Sequence, residues 1–373
     1  MRVYIFISLF FCTFLLSAQT PLLENKEAMD LIKKGTFHIY NTDYKKAKVY
    51  IDQLQKLLPK HPAAPMMYAL NINWSQFPLE TDTDEFAALK NHLLTALERT
   101  EVKLEKDEDD IEGIFFAMAI HSWLAQFYDE DGSTFKALGS AKRAYNYMKK
   151  GFDLTDRSPE FYFSTGLYNY YRVQYPESNP VYKPFMWFFR NGDKALGLKQ
   201  LKIASAKALF TRAEASMYLA HLYLRYEKDP ISALTYSRLL INDFPNNTLF
   251  RINHVESLLG AKRYAEAKPM ISVLLNLHQP FFRMSAEVFH GIYLENHAKD
   301  LTKARAFYLR GIETGSSQGD KADNRLSFAY AGLARIAHQR GNSDQAKTYY
   351  KKAAKLAQYS TIKEEVKAYF NAN

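Results

Sequence analysis

Between Leu31 and Pro59 the chain reads LIKKGTFHIYNTDYKKAKVYIDQLQKLLP, and its order of bulky and small residues returns further along. Leu31, Gly35, Tyr44, Ala47, Ile51, Leu54 and Pro59 mark the first copy. Tyr330, Leu333, Ala334, Ala337, Gly341, Ala346, Tyr350 and Ala353 mark another, in AYAGLARIAHQRGNSDQAKTYYKKAAKLA. Ala220, Leu224, Ala233, Leu240 and Pro245 mark a third, with His221 at its small-residue position. Tyr264, Ala267, Ile271 and Leu274 give half of a fourth. Ala233 and Ala267 stand about 34 residues apart, a period used by paired-helix repeats. Ala304 and Ala346 follow at longer intervals, so loops there have grown, TGSSQGDK at Thr314–Lys321 among them. Small residues let two antiparallel helices approach, large ones fill the space beside them, and proline ends the second helix. No stretch alternates apolar and polar residues for the length of a useful strand, and glycine (15) and proline (13) are sparse.

These spacings resemble the tetratricopeptide repeat, closely in the first unit and across Ala213–Ala357, more loosely across Ala63–Gly151. The resemblance implies an all-α fold, a right-handed superhelical solenoid of antiparallel helix pairs, with six or seven pairs. Gly166–Leu201, with GLYNYY and GDKALGLKQL, is also similar to the Iml-type tetratricopeptide family of outer mitochondrial membranes. Less regular helices are expected from Ala69, over Phe86–Leu104, and as a pair at Ile111–Phe127 and Phe135–Lys150. A last one is expected where Thr361 and Glu364 in TIKEEVKAYF are spaced as a capping box, covering the final face of the array.

The N-terminus carries a different signal. Arg2 precedes the apolar run Val3–Leu16, which ends in Ser17, Ala18 and Gln19. That order reads as a signal peptide over residues 1–18, cut near Ala18 or Gln19. The run is shorter than the roughly 20 residues that span a bilayer, with an uncleaved anchor as the alternative. Export follows, to the periplasm or the outer membrane in a diderm bacterium and otherwise to the medium. Cys12, the only cysteine, leaves with the signal, so the mature chain has no disulfide, thiolate metal site or cysteine nucleophile. Residues 19–155 then hold the N-terminal repeats and 156–373 the C-terminal array with its end helix.

The C-terminal array is interrupted at residues 176–191. Tyr162, Gly166 and Tyr170 fit the first helix of a hairpin, and Asp193, Gly197, Leu201 and Ala204 the second, with Asp193 as N-cap. Between them stands an insertion containing Tyr182, Phe185, Met186, Trp187, Phe188 and Phe189. Three readings are open: extra core, a wall or lid of a partner groove, or a membrane contact. Pro180 and Pro184 argue against a long helix there.

First helices line the concave groove in tetratricopeptide proteins. By that resemblance the groove candidates are Phe163, Tyr170, Tyr171, Tyr218, Arg225, Tyr226, Arg335 and His338, with Trp187 contributed by the insertion. Such a surface is aromatic and basic and suits a protein or extended peptide with acidic or aromatic side chains. Several of these tyrosines also fit plain packing between repeats. No cofactor, metal or catalytic motif is legible: HExxH and GxxxxGK[ST] are absent. KDEDDIEG at Lys106–Gly113 lacks an EF-hand's ligand order and reads as a solvated loop entering a helix, and DEDG at Asp129–Gly132 as a turn. Net charge is +9, but the basic residues are dispersed among acids and export disfavours a nucleic-acid partner. The function expected is therefore a non-catalytic exported scaffold for protein–protein interaction. The alternative is an enzyme or transport-accessory protein whose small-molecule pocket is roofed by residues 176–191.

Overall fold

The computed structural model describes residues 22–178 and 180–372, so the signal segment with Cys12 lies outside the described residues. Among them the regular structure is helical, and sixteen of seventeen α-helices form eight hairpins, more than the six or seven expected. The first four are α1 (Lys26–Tyr40) with α2 (Tyr44–Leu57), α3 (Ala63–Ser75) with α4 (Asp84–Lys106), α5 (Ile111–Glu130) with α6 (Thr134–Phe152), and α7 (Phe161–Ser178) with α8 (Lys194–Lys207). The next are α9 (Arg212–Leu222) with α10 (Pro230–Asp243), α11 (Thr248–Gly260) with α12 (Tyr264–Leu274), α13 (Pro280–Tyr293) with α14 (Leu301–Gly315), and α15 (Asp323–Gln339) with α16 (Ser343–Leu356). Helix α17 (Ser360–Ala372) ends the chain. The looser N-terminal helices have boundaries that depart from those expected. Helix α3, for instance, starts at Ala63 and tolerates Pro65 in its first turn, where the lost N–H has no intrahelical partner.

Local chemistry explains the hairpins. In α2 the buried residues are Ala47, Ile51 and Leu54, a stripe at helical spacing, and in α16 they are Ala346, Tyr350 and Ala353. Each fully buried aliphatic side chain such as Ile51 contributes about 1.5–3 kcal/mol. Turns inside hairpins use a left-handed residue, glycine at Gly132 and Gly341 but Thr42 and Lys262 elsewhere. After Thr42, Lys228, Lys299 and Gly341 an Asp or Asn side chain caps the helix that follows, as Asp43, Asp229, Asp300 and Asn342 do, and Asp110 and Asp193 cap α5 and α8. Such a cap is worth about 1 kcal/mol. The α7–α8 crossing is close: a Cβ on Gly197 would meet the Tyr170 backbone nitrogen at 2.7 Å.

First helices of successive hairpins touch one another, α9 with α11, α11 with α13, and α13 with α15, so they form the inner side of the curve. The N-terminal repeats reach across to this array. Tyr40 packs its ring against Phe244 and Phe250, and Asn247 donates to the Tyr40 carbonyl at 2.9 Å. Phe77 meets Phe281 edge-on, and Gln279 donates to the Phe77 carbonyl at 2.7 Å. Among the described residues no helix is long and apolar enough to cross a membrane.

Candidate functional site

The inner side of the C-terminal array is where the expected groove lies, and its tyrosines form a connected strip. Phe163 and Tyr218 meet edge to face at 5.7 Å, and Tyr171 meets Tyr226 in the same way at 6.2 Å. Tyr170 lies between Tyr171 and Tyr226, at 5.7 and 6.1 Å. It is fully buried and its hydroxyl donates to Glu227, so it is core beneath the strip, not surface of it. Phe163, Tyr171, Tyr218 and Tyr226 stay half-buried. Arg225 stacks on Tyr226 at 5.1 Å and lies 3.2 Å from His221 Nε2. Burial, with Arg225 adding to it, pushes His221 down to about 4, so the imidazole stays neutral and accepts from the guanidinium.

The rest of the inner side is occupied by the chain's own end. The stretch Gln358–Tyr369 comes back across the first helices. Arg225 donates to the Gln358 carbonyl at 3.3 Å, Tyr359 stands edge-on to His221, and Lys228 pairs with Glu364. Beneath Tyr359 is a buried ion pair: Arg325 donates two bonds to Glu256, at 2.6 and 2.9 Å, and the Tyr359 hydroxyl donates a third at 2.8 Å. A second network centres on Arg335, which donates to both oxygens of Glu295 at 2.6 and 2.8 Å and to both of Glu365 at 2.9 and 3.0 Å. Tyr308 adds a bond to Glu295 and Tyr350 one to Glu365. Bidentate geometry of this kind holds a charge at a low-dielectric site.

Not every sequence-predicted residue therefore joins one surface. Arg335 is neutralised by two carboxylates, and His338 is packed edge-on to Tyr369 at 5.4 Å under α17. Glu364 does not cap α17, which begins at Ser360; it reaches Lys228 instead. Sequence reasoning missed Glu256, Glu295, Arg325 and Tyr359. A usable signal was present: charged residues sit on inner helices where the repeat pattern wants packing, and unpaired charges are not kept there. It also missed two single π-turns, Tyr223–Glu227 and Leu294–Ala298, each closed by a left-handed lysine, Lys228 and Lys299. Arg225 and Glu295 stand within these two turns.

Trp187 lies elsewhere. Helix α7 continues through Pro176 to Ser178, and Pro180–Phe188 then forms a 3₁₀ turn. That segment is strapped to the outer side. Tyr168 donates to the Arg190 carbonyl at 2.7 Å, the Arg190 N–H donates to the Tyr145 hydroxyl at 3.1 Å, and Arg172 donates to the Met186 carbonyl. Tyr168 and Arg172 are on the face of α7 opposite Tyr170. Trp187, 75% exposed, is thus neither core nor part of the tyrosine strip.

Two clefts flank the N-terminal junction. One, of about 480 Å³, is lined by Phe37, Tyr40, Phe210 and Phe244 with Lys33, Lys207 and Arg212 at its edge. The other, of about 400 Å³, is lined by Phe77, Phe86, Trp123, Phe127 and Phe281. No residue of 176–191 lines either one, so the insertion does not roof them. Tyr40 lines the first and donates to Glu214, whose carboxyl burial pushes up to about 7 and whose second oxygen has no partner. Among the described residues no three His, Cys, Asp or Glu side chains gather as a metal site.

No protein-family model matches the sequence, and no curated protein matches it. Solved structures do resemble the chain. The C-terminal part of a TPR repeat-containing protein from Cytophaga hutchinsonii is 12% identical, over 90% of this chain and 98% of that one, with a TM-score of 0.30. A human IFIT1 dimer with m7Gppp-AAAA is 16% identical, over 84% and 68%, with a TM-score of 0.40. A human IFIT1 dimer with PPP-AAAA is 15% identical, over 89% and 85%, with a TM-score of 0.35. At these TM-scores the likeness assigns neither function nor partner. The helical-hairpin solenoid stands on the geometry described above.

Proposed function

We propose that this chain is an exported, non-catalytic scaffold that takes an extended segment of another protein, rich in acidic and aromatic side chains, along its inner groove. One observation carries the reading: the groove already takes such a segment from the chain itself. Residues 358–365 enter it with Tyr359 on Glu256 and with Glu364 and Glu365 on Lys228 and Arg335. The strip of Phe163, Tyr171, Tyr218 and Tyr226 continues that surface beside the occupied part and carries aromatic anchors with Arg225 at its end. Export rests on the signal-like order of Arg2–Gln19, and places the scaffold in the periplasm or at the outer membrane of a diderm cell.

A photo-crosslinking residue at Tyr171 or Tyr226, introduced in the native cell, is expected to give adducts with another polypeptide. The same residue at Lys351, exposed on α16, is expected to give none. No adduct at either tyrosine sinks the groove assignment. Export is checked separately by the mass of the mature N-terminus, expected at Ala18–Thr20; a chain retaining Met1 in a soluble fraction overturns it.

A further inference from the structure

The outer side of α6 is apolar and basic. Its sequence, TFKALGSAKRAYNYMKKGF, contains no acidic residue. One face carries Phe135, Leu138, Lys142, Tyr145, Lys149 and Phe152, all at helical spacing. Tyr145 and Phe152 are covered by the strap, through Phe189 at 5.3 Å and the Arg190 guanidinium at 4.2 Å. The other half of the face stands in solvent: Phe135 is 91% exposed and Leu138 62%. The strap itself, Pro180–Arg190, also lacks an acidic residue and exposes Val181 (72%) and Trp187 with Lys183 and Arg190. Lys136, Lys142, Arg143 and Lys149 are exposed and make no ion pair among the described residues, whereas Lys150, on the flank, pairs with Asp109.

We propose that α6 and the 180–190 strap together form a docking surface for an anionic lipid bilayer. A helix with apolar residues on one face, lysines beside them and no acid lies at a lipid interface. Tryptophan suits the headgroup level, and each lysine near an anionic surface adds to binding. Every charged side chain of α6 and the strap is basic, and this excess supplies the charge complementarity. A peptide partner fits less well. Its anchors need pockets, and here the apolar side chains project outward, while neither cleft described above includes a residue of this face. The strap's contacts run to Tyr145, Phe152, Tyr168 and Arg172, none of them groove residues, so the proposal stands independently of the groove's function.

The test is flotation of the full mature chain with vesicles of phosphatidylcholine alone or mixed with phosphatidylglycerol. The wild type is expected to float with the mixed vesicles and at least tenfold less with the neutral ones, with binding lost as salt is raised. Each lysine carries roughly fivefold in vesicle affinity, so K142E/K149E loses binding by well over tenfold. F135S/L138S also loses it, and both variants are expected to keep the wild-type circular dichroism because all four side chains are exposed. A wild type that stays at the bottom of the gradient overturns the proposal. So does equal flotation with neutral vesicles, or flotation of both variants like wild type. Binding to soluble polyglutamate without flotation identifies an acidic polypeptide instead and also overturns it.

Discussion

Tyr359 and Trp187 are both large aromatics on segments that leave the regular array, yet one is 4% exposed and the other 75%. The difference lies in what each segment meets. Residues 358–369 return along first helices that offer Glu256 and Arg335, so the Tyr359 hydroxyl and the Glu365 carboxylate of the tail find charged partners. The strap meets the outside of α6 and α7, where Tyr168 and Arg172 grip its carbonyls and leave its side chains outside. The inner surface balances charge to the level of bidentate pairs; the outer one has a surplus of a single sign. That contrast separates a surface built to be filled by polypeptide from one built to face something diffuse and negative.

The largest expected effect breaks the inner side of the comparison. Arg325→Ala leaves Glu256 buried without its guanidinium and is expected to cost about 3–5 kcal/mol in urea denaturation. The Tyr359 hydroxyl alone does not compensate a carboxylate at that depth. A cost under about 1 kcal/mol means that water reaches Glu256, and the closed floor of the groove is then wrong.

A smaller, pH-dependent effect sharpens the same side. Glu214 on α9 has one oxygen bonded by Tyr40 and the other without a partner, and burial lifts its carboxyl from 4.5 to about 7. Because the folded value is the higher one, its contribution is complete below about pH 4.5 and is lost as pH rises to about 7. Glu214→Gln is therefore expected to be more stable than wild type at pH 8, by on the order of 2–3 kcal/mol, with the gap closing towards pH 4.5. His221, held down to about 4 by burial, loses stability in the opposite direction as pH falls, and it is common to both proteins. Parallel urea titrations across that range separate the two; a constant gap sinks the assignment to Glu214.

The readable part of this architecture is set by close approach between neighbours in sequence. Ala47, Gly197 and Ala346 are the small residues where two helices of a hairpin cross, Gly35 the one where α1 meets Met67 of α3, and Asp193 and Asn342 cap helices that begin, so these repeats are legible in the sequence. Neither the path of the tail nor the face of the strap is local. Glu365 reads as an ordinary helix-surface acid until Arg335, thirty residues upstream, turns out to need it. The strap is held through carbonyls of Met186, Phe189 and Arg190, and main-chain acceptors carry no residue signature. Pro180 and Pro184 argue against a long helix there, and the segment is a 3₁₀ turn, but its placement follows from Tyr168 and Arg172 on a different element.

The smallest expected effect tests the outer side. Trp187→Ala removes a side chain that solvent already surrounds on most of its surface, and is expected to change stability by less than about 0.5 kcal/mol. Phe161→Ala, on the same hairpin but fully buried against Phe115, is the matched control, at roughly 3–5 kcal/mol. Thermal and urea melts of both variants read the contrast directly. A Trp187→Ala cost approaching that of Phe161→Ala makes the strap part of the core, and removes one apolar anchor from the lipid-facing surface. A near-zero cost leaves the tryptophan without a folding role, so that a loss of vesicle flotation in the same variant reports on the surface and not on the fold.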